Sequence, residues 1–417
     1  MRRVSQLNAL FDRGWVLTIL ISVYIVVAQF THFSLSIDYD NYLPEERLNF
    51  TVATLREVAQ SILTAYMMLL LIRDRSLRFR GFPGVALSLL GLFAFASIFL
   101  NINVYGVSHI FGAFRILMLA VCSILLAWVA ARGLISFRHL SFVLKFSVFV
   151  QLVISVFQLG LMEPFFGSSQ LGVRVFGAFA SPIHLSIFFG ATSIYFASAI
   201  QRNALFWLAL CLFGSLLTGG RTGLLLVFVG FGLFAYRRLD LRLMGSICAL
   251  IVFSLLFGVV YYGVSDPLVS GREGTALGVS GEQRWVTWAN TLEGLLTNRT
   301  SFPTALFGEG VGQGSNTFVR LVEWGGDGNR QGVISDSLYV YSVKSIGIAG
   351  SLVFLVALFF NGRPFKAENL FGLVGWALLG VTQIAFEIHP SSVILLSCAS
   401  VPLRRERLGF KNQAQHD

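Results

Sequence analysis

Ionisable side chains inside apolar runs are the first places where this chain could do chemistry, because an ion in hydrocarbon is costly and is kept only for a reason. Arg115 stands within Phe111–Leu119, several residues inside an apolar run, and Lys145 lies near the end of another. Arg115 suits an anionic group, while its structural alternatives are snorkelling to the interface or pairing with a carboxylate elsewhere in the bundle. Lys145 reads more simply as an interfacial anchor. Gln151 and Gln158, seven apart, share one helix face and fit interhelical hydrogen bonds.

Glycine-rich breaks hold the next candidates. Leu217-Thr218-Gly219-Gly220-Arg221-Thr222-Gly223 places one Arg in a tight turn between two short apolar runs. Exposed backbone N–H groups and a guanidinium fork both suit a phosphate, although Gly-Gly with an interfacial Arg is also an ordinary turn. Arg174 opens Arg174-Val175-Phe176-Gly177-Ala178-Phe179-Ala180-Ser181-Pro182, with His184 just beyond. Leu306-Phe307-Gly308-Glu309-Gly310-Val311-Gly312-Gln313-Gly314 is a flexible strip and not a P-loop, since no Gly-Lys-Ser/Thr follows. Asp336, in Ser335-Asp336-Ser337-Leu338-Tyr339, is placed to act as a base or as a helix N-cap. Glu387 and His389 sit together on a later polar turn. No HExxH, Asp-x-Asp or Cys/His cluster occurs, so neither a metal nor another cofactor is expected.

The elements that must position these residues follow from composition. The chain has 417 residues, 55% hydrophobic and 12% charged, with 40 Phe. Soluble domains carry about 25% charged residues, so an ordinary cytosolic enzyme is excluded, as is disorder. Apolar runs long enough for a bilayer recur throughout, over 14–30, 53–72, 82–100, 110–131, 142–162, 183–200, 204–219, 222–236, 243–263, 336–360, 367–384 and 388–403. The expectation is an all-α, polytopic membrane bundle of about twelve transmembrane helices. No cleavable signal peptide is read, because the first run serves as the first span.

The net charge is +10, and 27 of the 31 basic residues are Arg, concentrated in short breaks at Arg2, Arg3 and Arg13, Arg73–Arg80, Arg132 and Arg138, Arg202, Arg237–Arg242, Arg363 and Lys366, and Arg404–Lys411. Twelve alternating helices put all of these on one side, the cytoplasm, as topogenic charge and not a nucleic-acid surface. Residues 1–263 hold nine spans, 264–334 one large outer loop, and 335–417 three spans and a tail. That loop has 71 residues with 13 Gly, yet Trp285, Trp288 and Trp324 argue for a folded cap and against disorder. Short outer turns are expected near 101–109, 163–182, 220 and 385–389. The four cysteines (Cys122, Cys211, Cys248, Cys398) lie far apart in apolar runs and read as buried thiols.

In their order and sidedness these motifs resemble the O-antigen polymerase and O-antigen ligase superfamily of bacterial inner membranes. The resemblance rests on Arg174-x-x-Gly-x-Phe-x-x-Pro182, Gly-Gly-Arg221-Thr, Leu306-Phe307-Gly308-x-Gly310-x-Gly312 and Asp336-Ser-Leu-Tyr339 followed by Gly347-x-x-Gly350, and spans roughly residues 80–360. It implies a metal-independent glycosyltransferase that uses an undecaprenyl-pyrophosphate-linked oligosaccharide at the periplasmic face. Ligases of the family carry a His eleven residues before the first Gly of Gly-x-x-Gly, where this chain has Asp336, so the polymerase branch is favoured. Arg221 and Arg174, with Arg284 of the loop, would bind the departing diphosphate, aided by Arg115 and Tyr339. Asp336 would be the general base, with Glu387 and His389 in reserve. Expected partners are membrane lipid, a chain-length regulator and a flippase, and no nucleic acid. Competing readings are an O-antigen or protein ligase, a capsule polymerase, a lipid-linked oligosaccharide flippase and a peptidoglycan polymerase. A flippase has no use for a cap on one face, and the acidic loop motif of the peptidoglycan enzymes is missing.

Overall fold

A computed structural model describes residues 2–30, 50–73, 82–161, 175–179, 182–198, 203–238, 302–308, 337–359, 370–382 and 390–398, with Ala289, Glu293, Ala385 and Ile388. Among these, 91% are helical and none lies in a strand, which establishes the all-α class. The helices are α1 (Arg2–Gln29), α2 (Phe50–Arg73), α3 (Phe82–Ala131), α4 (Phe137–Leu161), α5 (Pro182–Ser198), α6 (Ala204–Thr218), α7 (Arg221–Arg238), α8 (Phe302–Phe307), α9 (Leu338–Phe359), α10 (Leu370–Thr382) and α11 (Ser391–Cys398). Local signals set their ends. Pro83, Pro182 and Pro303 fall in first turns, where the missing N–H costs nothing. Gly133 and Gly219 follow α3 and α6 with φ of 70° and 62°, the left-handed stop that glycine takes without strain.

The core is organised around α5. Apart from Ile183 and His184 it is buried on every face, as a helix that is apolar all round should be. Helix α7 lies backbone to backbone against it. A Cβ on Gly223 would overlap Ser186, one on Gly190 would meet Gly223 and Leu226, and one on Gly230 would meet Ser193. Small residues that admit such approach are how helices associate where solvent offers no hydrophobic drive. Helix α6 seats Gly214 under the Phe189 ring, and Gly375 of α10 packs on Ile194 and Leu395. The outside is apolar too: Phe142, Phe146, Phe149, Val153 and Val156 form an exposed stripe along α4. A stripe of that kind belongs against lipid.

Among the described residues three helices are long and apolar enough to cross a bilayer, Ala113–Ala131, His139–Leu159 and Leu338–Leu358, and they mark a membrane protein. Every expected span except 243–263 coincides with a helix, although α11 covers only part of 388–403. Residues 239–288 lie outside the described residues, as does nearly all of 264–334 and hence the expected cap. Spans 82–100 and 110–131 fall in one helical run, α3, so the outer turn expected near 101–109 is itself made of helical residues. Yet Leu90 and Ala94 line the same cavity of about 40 Å³ as Ile116 and Ala120, facing Ser345 and Ile346 of α9. Thirty residues of straight helix would separate Leu90 from Ala120 by ~45 Å. The run therefore doubles back between Ala94 and Ile116, and its two arms lie side by side.

Contacts also sort the breaks between helices. Gly14 abuts the Leu134 carbonyl, and Thr18 Oγ1 accepts from the Ser136 N–H at 2.9 Å, which brings the start of α1 to the α3–α4 turn. Lys145 lies 5.5 Å from the Trp207 ring centroid at the start of α6. Trp128 Nε1 donates to the Ala357 carbonyl at 2.9 Å near the end of α9. The α3–α4 turn, the start of α6 and the end of α9 thus share one end of the bundle.

Candidate functional site

Helix α6 runs from that end to the turn that carries Arg221. Helix α6 stops at Gly219, whose N–H reaches the Leu216 carbonyl at 3.1 Å, and α7 starts two residues later with Arg221 exposed. The turn between them is fixed from α5. Ser186 Oγ donates to the Gly220 carbonyl at 2.7 Å and meets Ser215 Oγ at 3.0 Å, while Thr218 Oγ1 accepts from the Gly220 N–H at 3.3 Å. A Cβ on Gly220 would overlap Ser186. A guanidinium at the first position of a helix, at the positive end of the helix dipole, is an arrangement suited to an anion.

A second strand of chain is held by glutamines. Gln158 Oε1 accepts from the N–H groups of Phe176 (3.1 Å) and Gly177 (2.8 Å), and its Nε2 donates to the Gly177 carbonyl at 2.8 Å. Gln151 Oε1 accepts from the Ala178 N–H at 3.0 Å, and its Nε2 donates to Gln29 Oε1 at 3.2 Å. Gln29 in turn donates to Ser147 Oγ at 3.0 Å. Gln151 makes the interhelical bond expected of it, to Gln29, whereas Gln158 bonds the backbone of the loop that follows Arg174. Gly177 has φ 59° with Gln151 Oε1 where a Cβ would be, and Phe179 packs on Phe188 at 5.3 Å between ring centroids.

The third motif pair meets in space. Helix α9 is broken at Gly347, whose φ of 71° and ψ of 179° only glycine tolerates. The end of α8 docks into that break. A Cβ on Gly347 would overlap the Leu306 carbonyl, and one on Gly308 (φ 82°) would overlap the backbone of Ser345 and Ile346. Phe307 then packs on Phe93 of α3 at 5.6 Å between ring centroids. Two short glycine motifs that are far apart in sequence thus form one backbone junction.

Two of the proposed substrate-binding side chains have structural partners. Arg115 pairs with Glu57 of α2, through Nη2 at 2.9 Å and Nε at 3.2 Å to the same Oε1. That is the carboxylate pairing foreseen as its structural alternative. Tyr339 Oη donates to the Ala377 carbonyl at 3.0 Å, and Ser337 Oγ donates to the Gly380 carbonyl at 3.2 Å, tying the start of α9 to α10. Arg174, Arg284, Asp336, Glu387 and His389 lie outside the described residues. Sequence reasoning passed over Glu57 and Gln29, although the rule that singled out Arg115 applies equally to a carboxylate in an apolar run. Lys344, half-buried within α9, falls under the same rule. Among the described residues no cluster of three His, Cys, Asp or Glu side chains could hold a metal ion, and Cys122, Cys211 and Cys398 are buried and free.

Chemically, the described residues offer the exposed guanidinium of Arg221 on a rigid turn, a clamped loop beginning one residue after Arg174, and a helix start two residues after Asp336. No protein-family model and no curated protein matches the chain.

Proposed function

We propose that the chain is a membrane glycosyltransferase of the O-antigen polymerase kind, which joins oligosaccharide repeats carried on undecaprenyl pyrophosphate. It works at the periplasmic face of a bacterial inner membrane, within a bundle of about twelve spans capped by residues 264–334. The observation that supports this reading is the packing of Leu306–Gly308 into the Gly347 break, where two of the motifs meet. Motifs that resemble one family only as short strings of residues thereby become parts of one construction.

The anomeric carbon of the donor exchanges its bond to the diphosphate oxygen for one to a hydroxyl of the acceptor repeat. The hydroxyl proton passes to a base, and the diphosphate leaves on its lipid. Arg221, a bidentate donor, stabilises the charge that develops on the departing diphosphate, and Arg174 and Arg284 are the further cations available for that role. Asp336 accepts the proton; Glu387 and His389 are the other groups available for that role. A chain-length regulator and a flippase are the protein partners this chemistry calls for.

The test is a gel of surface polysaccharide from a deletion strain complemented with the wild-type chain or with Arg221→Ala. Core bearing a single repeat is the expected result for the variant. Bare core with accumulated lipid-linked polymer would make the protein a ligase, and bare core with unpolymerised repeats on the cytoplasmic side would make it a flippase. An intact ladder in the deletion strain would overturn the pathway.

A further inference from the structure

Gly220 stands immediately before Arg221, so its φ and ψ decide how the arginine leaves the turn. The close approach of Ser186 excludes a Cβ there, and a glycine has no strong φ/ψ preference of its own. Its conformation must be imposed from outside, and three buried hydroxyls impose it. Ser186, Ser215 and Thr218 are each no more than 1% exposed. Thr218 Oγ1 accepts from the Gly220 N–H at 3.3 Å, and Ser186 Oγ donates to the Gly220 carbonyl at 2.7 Å. Those two groups belong to the peptide units on either side of the Gly220 Cα, so both of its torsions are held.

Each hydroxyl has one proton to give, which fixes the direction of every bond. The Ser186 proton goes to a carbonyl, which can only accept, so Ser215 Oγ donates to Ser186 Oγ across 3.0 Å. The Thr218 proton goes to the Ser215 carbonyl at 2.7 Å, which leaves the Thr218 oxygen to accept from Gly220. The Gly220 carbonyl also accepts from the Leu224 N–H at 3.1 Å, but that bond lies within α7 and moves with it. Ser186 supplies the bond that ties the turn to α5.

We propose that Ser186 and Thr218, with Ser215 behind Ser186, are positioning residues for Arg221, and that they aim its guanidinium at the diphosphate of the lipid-linked donor. They act through the Gly220 backbone and not on the substrate. The inference rests on the reading that Arg221 meets that diphosphate.

The test is equilibrium binding of undecaprenyl pyrophosphate, and of undecaprenol as the tail without the diphosphate, to the full chain in a neutral detergent. Ser186→Ala leaves the Gly220 carbonyl its Leu224 partner, and the Ser215 hydroxyl can turn to a carbonyl of its own helix. The unfolding midpoint of this variant should therefore stay that of the wild type. Its affinity for undecaprenyl pyrophosphate should fall roughly fivefold, the contribution of one hydrogen bond, while that for undecaprenol is unchanged. Thr218→Val, which strands the Gly220 N–H, should weaken binding in the same selective way, and Thr218→Ser should restore it. In an Arg221→Gln background, Ser186→Ala should cause no further loss. If Arg221→Gln weakens binding and Ser186→Ala does not, or if the Ser186→Ala loss persists without Arg221, the positioning role is overturned and the glycosyl-transfer reading is left intact. Equal losses for undecaprenol and its diphosphate overturn it too, since the hydroxyls would then serve packing alone. If the wild type holds undecaprenyl pyrophosphate no tighter than undecaprenol, or Arg221→Gln changes nothing, that reading fails and the proposal with it.

Discussion

Replacing Gly223 with Ala tests whether the turn that presents Arg221 is set by backbone contact between α5 and α7. The added Cβ would overlap Ser186 at Oγ and also at its carbonyl. A hydroxyl can rotate, but the carbonyl belongs to the backbone of the most deeply buried helix and cannot yield alone. Helix α7 would have to withdraw by ~1 Å or more to regain ordinary contact, and a gap of that size forfeits roughly a quarter to a half of the dispersion attraction across it. Overfilling a packed site costs ~1–3 kcal/mol, and a backbone clash belongs at the upper end, about 3 kcal/mol. Exchanging Gly for Ala inside a helix returns ~1 kcal/mol. The net expectation is a loss of about 2 kcal/mol.

Gly232 supplies the control, because it lies in the same helix with nothing within 4 Å of its missing Cβ. Gly232→Ala should keep the helix gain of ~1 kcal/mol without the clash. The two variants share that gain, so their difference of ~3 kcal/mol isolates the cost of separating α5 from α7. Denaturant unfolding in one detergent, followed by loss of helical circular dichroism, measures it. Because Ser186 also holds the Gly220 carbonyl, Gly223→Ala should shorten the polysaccharide ladder as well. A Gly223→Ala protein as stable as Gly232→Ala would refute the close approach.

Three further outcomes follow from the same geometry. Gly347→Ala adds backbone strain of ~1–3 kcal/mol and drives a methyl into the Leu306 carbonyl, so hydrogen exchange over 302–308 should accelerate; unchanged protection there would mean that α8 does not depend on the break. Gln158→Leu strands two backbone N–H groups and one carbonyl, at ~1–3 kcal/mol each, and should lower stability by at least about 3 kcal/mol; Gln158→Glu, which still accepts but opposes the Gly177 carbonyl, should fall between. A double-mutant cycle on Glu57→Gln and Arg115→Gln should give a coupling of ~1 kcal/mol, small because both side chains are about a third exposed, and a coupling near zero would dissolve the pair.

Helices were legible because an apolar run of bilayer length has one way to satisfy its backbone, and glycine and proline punctuate such runs. The α6–α7 break was read from Thr218-Gly219-Gly220-Arg221, where two glycines end one helix before another can begin. The helical path of 101–109 was not legible: Asn101, Asn103 and Gly106 look like loop residues, and whether they keep helical hydrogen bonds depends on what packs beside them. Partner choice was hidden for a similar reason. Gln151 and Gln158 announce hydrogen bonds, but an amide side chain does not say whether it will meet another helix or the backbone of a loop. Arg115 was open between ligand and ion pair until Glu57, on another helix, was placed beside it.

The division of labour between glycine and arginine bears directly on how the proposed site should be tested. Gly177, Gly220, Gly223, Gly308 and Gly347 each stand where a Cβ would collide with a neighbouring element. Their motifs therefore record how closely segments pack, and a resemblance built on them is first a resemblance of backbone path. Substitution at any of these glycines must change stability and activity together, because the fold and the placement of Arg221 rest on the same contacts. Arg221 itself is exposed at the head of α7. An Arg221→Lys protein keeps the charge but loses the bidentate fork, so it should unfold like the wild type while polymer length collapses. Loss of stability in step with activity at Arg221 would instead make that residue one more part of the scaffold, and the chemistry would have to be sought elsewhere.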